Sequence, residues 1–122
     1  MPSRERVQAF IRAVVDGVHA DAIAHFYTED ATMQENATEP RAGLANLVAR
    51  EIKAVEKMAS IVTHEPDFVA IDGDRVAIHW VFDFTHQDGR TRRIDEVALQ
   101  VWAGDKIARE RFVYDSPSCG WK

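Results

Sequence analysis

Two glutamates interrupt strand faces that are otherwise apolar. Glu96 stands between Ile94 and Ala98, and Glu110 two positions before Phe112, at the spacing that puts side chains on one side of a strand. Two carboxylates held in an apolar concavity cannot both ionise cheaply, so one is expected to keep its proton near neutral pH. Identical side chains then supply an acid and a base, the equipment for proton transfer on a small molecule without a cofactor. Tyr114, two residues beyond Phe112 on the same face, adds a hydrogen-bond donor. Ile78, Trp80, Phe82 and Phe112 from the strands and Phe10 from the N-terminal segment supply apolar walls that would bind a small apolar or cyclic organic molecule.

The elements that must position these residues follow from periodicity. From Ile61 to Asp115 the sequence reads as long strands broken only at Asp72-Gly73-Asp74, Gln87-Asp88-Gly89 and Gly104-Asp105. Each break is a Gly-bearing turn, so this half predicts one antiparallel, highly curved sheet. In the strand from Arg75, residues Val76, Ile78, Trp80, Phe82 and Phe84 make one face, while Ala77, His79, Val81, Asp83 and Thr85 make a mixed one. The last two strands form a hairpin at Gly104-Asp105. Keeping both apolar faces inward pairs Ala98 with Glu110 and leaves Glu96 diagonal to it, about 7 to 8 Å away at the backbone.

The first half is helical. Ser3 caps a helix whose apolar positions Val7, Phe10, Ile11, Val14, Val15 and Val18 recur at three and four. A shorter helix over Ala20–Tyr27 precedes a brief strand, Ala31–Asn36, and Pro40 and Gly43 precede a third helix with Leu44, Leu47, Val48, Ile52, Val55 and Met58 on one side. Helices followed by a run of strands predict an α+β fold, with the helices on one face of the sheet.

At 122 residues the chain is expected to form one domain over 1–115, with a frayed tail at 116–122. A net charge of -5 argues against nucleic acid or an anionic membrane as partner. Arg90, Arg92 and Arg93 alternate with Asp88 and Asp95 and read as a solvated edge. The single cysteine, Cys119, excludes internal disulfides and multi-cysteine zinc sites. His64 has one obvious acidic neighbour, and His19 and His25 lie off one helical face, so no metal site is expected. With no apolar run near ~20 residues and no signal-peptide core, the expected compartment is the cytoplasm.

The stretches His25–Met33, Glu39–Gly43, Gly73–Trp80, Lys106–Ile107 and Phe112–Asp115, in that order, resemble the SnoaL-like branch of the nuclear transport factor 2-like superfamily over nearly the whole chain. The resemblance implies a cystatin-like cone: a curved antiparallel sheet wrapped around N-terminal helices, with a deep pocket at the open end and often a dimer across the outer sheet face. The superfamily includes ketosteroid isomerases, limonene epoxide hydrolases, polyketide cyclases and non-catalytic modules. Its ketosteroid isomerase base matches Glu35, but the partner tyrosine and aspartate fall on Phe10 and Ala98, which cannot hold an enolate. The epoxide hydrolase arginine and aspartates fall on Trp80, Phe82 and Phe112, which cannot polarise water.

Two readings follow. One is an isomerase, cyclase or hydrolase working through Glu35, Glu96 and Glu110. The other is a non-catalytic ligand-binding or dimerising module, in which Glu96 pairs with an arginine such as Arg41 and Glu110, between Arg109 and Arg111, reaches the sheet rim. The mixed face, carrying His79, Val81, Val97, Leu99, Val101, Arg109, Arg111 and Val113, predicts a homodimer. His79 on that face is expected at the contact or in a network with Asp95 and Arg111.

Overall fold

A computed structural model describes the whole chain, Met1–Lys122. The first helix, α1 (Arg4–Val15), begins where the Ser3 hydroxyl accepts the Arg6 N–H at 3.0 Å, and it buries Val7, Phe10 and Ile11. Helix α2 (His19–Phe26) buries Ala22, Ile23 and Phe26. It stops at Tyr27, which is extended and opens strand β1 (Tyr27–Glu35), longer than the brief strand expected from Ala31. A short edge strand β2 (Arg41–Ala42) and Gly43, at a φ of 94°, turn the chain into α3 (Leu44–Glu56). Of the α3 apolar stripe only Leu47 is fully buried, while Ile52 and Val55 are exposed, because the C-terminal half of this helix extends past the core.

The remaining strands are β3 (Met58–Thr63), β4 (Val69–Asp72), β5 (Arg75–His86), β6 (Thr91–Ala103) and β7 (Lys106–Val113). They join β1 and β2 in one seven-stranded sheet of order β2-β1-β7-β6-β5-β3, with β4 also on β5. The sheet is mixed rather than antiparallel throughout, because β1 runs parallel to β7. The three predicted turns all form. A fourth interruption, His64–Phe68, separates β3 from β4 around Pro66, which has no N–H to offer a ladder. Both strands nevertheless lie along β5, since His64 N–H donates to the Val81 carbonyl and His79 N–H to that of Phe68, each at 3.0 Å.

Curvature comes from register shifts. Between Val101 and Trp102 the pairing with β7 jumps from Arg109 to Ile107, leaving Ala108 as an extra residue. The helices fill the resulting hollow, and the core runs through Val7, Phe10, Phe26, Leu47, Ile78, Trp80, Trp102 and Ile107. At its closed end the Arg6 guanidinium lies 4.1 Å from the Phe26 ring centre and donates to the Asp105 and His25 carbonyls, stitching the helices to the β6–β7 turn.

The tail does not fray. Ser116–Cys119 forms a 3₁₀ turn with Cys119 buried, and Lys122 exchanges two backbone hydrogen bonds with Thr91. The Trp121 ring centre lies 5.5 and 5.2 Å from the Arg90 and Arg92 guanidinium carbons. Periodicity could not reveal this docking, because it rests on isolated cation–aromatic contacts rather than a repeating pattern. No helix is long and apolar enough to cross a membrane.

Candidate functional site

Inside the cone a cavity of about 210 Å³ lies between the helices and the inner sheet face. Its walls are largely aromatic. Phe10 comes from α1, Trp80, Phe82 and Phe84 stand at every second residue of β5, Phe112 comes from the end of β7, and Tyr114 from the residue just beyond it. Trp80 and Phe82 lie 5.6 Å apart centre to centre, and Phe82 and Phe84 6.0 Å. Ile78 is fully buried but lies beneath this surface and does not line the cavity.

Four acids face this aromatic lining, Glu35, Glu51, Glu96 and Glu110. Glu110 does not reach the sheet rim; it is 3% exposed. Its carboxylate accepts hydrogen bonds from the Tyr27 hydroxyl and, at 2.6 Å, from the Gln100 side-chain amide. The Gln100 carbonyl oxygen in turn accepts from the Trp102 indole N–H at 2.9 Å. The bulge at Ala108 produces this chain. It places Glu110 opposite Gln100 and Phe112 opposite Ala98, two residues away from the register that an undistorted inward-facing hairpin implies. Glu96 is therefore not diagonal to Glu110. Four positions of strand separate it from Gln100, about 13 Å along the backbone.

Glu96 is in the opposite condition. It is 8% exposed, stands opposite Trp80 across β5 and β6, and makes no hydrogen bond to any protein group. The expected pairing with Arg41 is not formed, for Arg41 lies 3.7 Å from Glu35 at the cavity mouth. Glu51, projecting from α3, lies 3.7 Å from the His19 ring, whose other nitrogen meets the Val14 carbonyl and the Thr63 hydroxyl. The structure thus brings Glu35, Glu96 and Glu110 to one cavity together with Tyr114. It adds Tyr27, Gln100, Glu51 and His19, which sequence reasoning missed. Tyr27 read as the last residue of a helix, and Glu51 is not among the apolar residues that mark the stripe of the third helix, so neither carried a periodic signal for the cavity.

These surroundings set the proton affinities. Burial raises the Glu96 carboxyl to about 8, reinforced by the charge of Glu110 and then by Glu35 and Glu51. Burial also raises Glu110, to about 7, against the opposing pull of the hydrogen bonds from Gln100 and Tyr27. Tyr27 is pushed well above its ordinary range, first by burial and then by Glu110, and Tyr114 is raised by burial and by Glu35 and Glu96. Near neutral pH the unbonded Glu96 holds its proton more firmly than Glu110, which has donors ready for its charged form.

Outside the cone, His79 bridges Asp67 and Asp95 at 2.6 Å each, so its second partner is Asp67 and not Arg111. Both carboxylates raise its pKa. On the same face Val97, Leu99 and Val113 are 36%, 46% and 41% exposed.

A family model described as a SnoaL-like domain matches residues 7–110. Among solved structures, a Mesorhizobium loti protein assigned as a SnoaL-like polyketide cyclase is 24% identical, with 92% of this chain and 98% of that one covered and a TM-score of 0.75. An epoxide hydrolase/cyclase-like enzyme of pyran ring formation in the polyether salinomycin is 22% identical, covers 98% and 95%, and scores 0.79. An LEH-like epoxide hydrolase from M. tuberculosis is 11% identical, covers 94% and 84%, and scores 0.73. At these identities the likeness concerns the fold. No curated protein matches the sequence.

The burial of Glu96 makes stability depend on pH. Its native pKa lies above its unfolded value, so its contribution is intact below the ordinary glutamate range and is lost as pH rises through about 8. Glu96→Gln keeps the shape and removes this loss. The variant should therefore gain on the parent between about pH 5 and about pH 9, by on the order of a few kcal/mol. Urea denaturation at the two pH values checks this. A difference that does not change with pH would mean that Glu96 ionises like an exposed acid.

Proposed function

The chain belongs to the SnoaL-like domain family, and within that family we propose that it is a small-molecule enzyme, an isomerase, cyclase or hydrolase, that moves protons with its own carboxylates. One observation carries this reading: two buried glutamates on one aromatic cavity have opposite hydrogen-bond states, Glu96 with no protein partner and Glu110 with two donors. A protonated carboxyl that no protein group satisfies is free to donate to a substrate oxygen. A carboxylate already cradled by donors is ready to take a proton.

The geometry suggests a relay. The Tyr27 hydroxyl donates to Glu110 and faces the cavity, so its lone pairs accept the proton of a substrate hydroxyl or water as its own passes to Glu110. Glu96 meanwhile protonates the oxygen whose bond to carbon breaks or whose carbonyl is polarised. Glu96 ends ionised and Glu110 neutral, and exchange with solvent past Glu35 and Arg41 at the mouth restores both. The likeness to proteins named for epoxide opening and pyran ring formation supports oxygen electrophiles as substrates. The aromatic walls suit an apolar or cyclic body.

Hydroxy-epoxides, simple epoxides and β,γ-unsaturated ketones form a panel that separates cyclisation, hydrolysis and isomerisation. For any compound turned over, Glu96→Gln and Glu110→Gln should each lose about 10²- to 10⁴-fold in kcat, the usual worth of a positioned acid or base. Binding without turnover across the panel would favour the non-catalytic ligand-binding module, and full activity in both variants would refute the assigned roles.

We further propose that a second copy covers the outer face of β5–β7, where Val97, Leu99 and Val113 form an apolar patch bordered by Arg109 and Arg111. Sedimentation should find a dimer at micromolar concentration and a monomer for Leu99→Glu. A parent that sediments only as a monomer would rule this contact out.

A further inference from the structure

The cavity does not end at its mouth. Met33, Glu35, Arg41 and Glu51 line both the cavity and a second hollow of about 420 Å³, which runs between α3 and the β1–β2 edge of the sheet. This groove differs from the cavity in charge. Both hollows share Glu35, Glu51 and Arg41, but the cavity adds Glu96 and Glu110, whereas the groove adds Arg50 and Lys53 from α3 and Lys57 at its C-terminal end. Glu35 is engaged with Arg41 and Glu51 with His19, and none of these three cations takes part in an ion pair. The small side chain of Ala54 lines the groove beside them.

We propose that this groove binds the anionic end, a carboxylate or a phosphate, of an elongated ligand whose apolar body lies in the cavity. The inference rests on the small-molecule reading of the cavity and adds the substrate class to it. Cations three and four residues apart on one helix face repel each other, so their gathering costs stability unless an anion offsets it. The helix dipole accounts for basic residues in the last turns of α3, but not for Arg50 or for the concavity they share. The net charge of -5 repels anions from most of the surface, which leaves this groove as a local exception beside the mouth of the aromatic cavity. Orientation follows from the same polarity. An anionic end is drawn to Arg50, Lys53 and Lys57 and repelled by the Glu110 carboxylate inside, so it stays outside while the apolar end goes in, and the ligand presents its oxygen functions to Glu96 in one direction only.

The test is a molecular ruler: ω-phenylalkanoates of increasing chain length, the matching ω-phenylalkanols and the matching ω-phenylalkyl phosphates, with binding followed by calorimetry at low and high salt. Acids too short to reach the groove should bind no better than the matching alcohols. Beyond the length that reaches the groove, the acids should bind at least tenfold more tightly than the alcohols. That gain should shrink with added salt and vanish in the double variant Arg50→Glu/Lys53→Glu, whose positions are exposed and whose alcohol affinity should match the parent's. Phosphates binding more tightly than acids would identify the anion as phosphate, and the reverse order as carboxylate. An acid that never exceeds its alcohol at any length, or a gain that survives the charge reversal, would overturn the groove proposal while leaving the cavity reading intact. Failure of every series to bind would overturn both.

Discussion

The hydrogen-bonded run from Trp102 through Gln100 to Glu110 and on to Tyr27 joins β6, β7 and the α2–β1 junction at the inner wall of the cone. A buried carboxylate without donors would be costly, and a buried glutamine or tyrosine without partners would be too. Each member satisfies the next, so the elements that carry them can approach with a polar residue at every junction. Removing one would leave the others unpaired in an apolar surround, which makes the run cooperative. It also fixes where Glu110 points, and the difference in proton affinity between the two acids follows from that.

Glu96 occupies the other condition because nothing was built to meet it. It stands opposite Trp80, within an aromatic wall, and its carboxyl has only the cavity to turn to. Two identical side chains on one surface therefore differ in proton affinity for a structural reason: one is hydrogen-bonded in its charged form and one is merely buried. The open cone is what allows this. Phe82, Phe84 and Phe112 are only partly buried, so the apolar lining continues outward as an open surface instead of closing as core. At the mouth Glu35 is held by Arg41, and beyond it the charge of the walls changes sign.

Much of this was legible in the chain because strand parity is strict. The inward set Val76, Ile78, Trp80, Glu96, Ala98 and Glu110 is buried as alternation requires, and the three glycine turns fall where the pattern breaks. The spacing between the acids was not legible. A two-residue turn at Gly104-Asp105 gives an odd register, and parity can be restored by an extra residue in either direction; the protein uses Ala108, an unremarkable alanine with no glycine or proline to mark it. Tyr27 was hidden for a related reason, since a helix that ends directly in a strand leaves no turn residue to announce the switch. The parallel pairing of β1 with β7 joins the two ends of the chain, and local periodicity cannot report a contact of that range.

Glu96 and Glu110 differ in proton affinity because they differ in hydrogen bonding. Carboxyl-resolved NMR titration of the parent and of Tyr27→Phe tests it directly. The parent should titrate Glu96 near 8 and Glu110 near 7, and Tyr27→Phe should raise Glu110 toward Glu96, because a donor to its charged form has gone. Two midpoints in the ordinary glutamate range, or a Glu110 midpoint indifferent to the loss of the tyrosine hydroxyl, would contradict it.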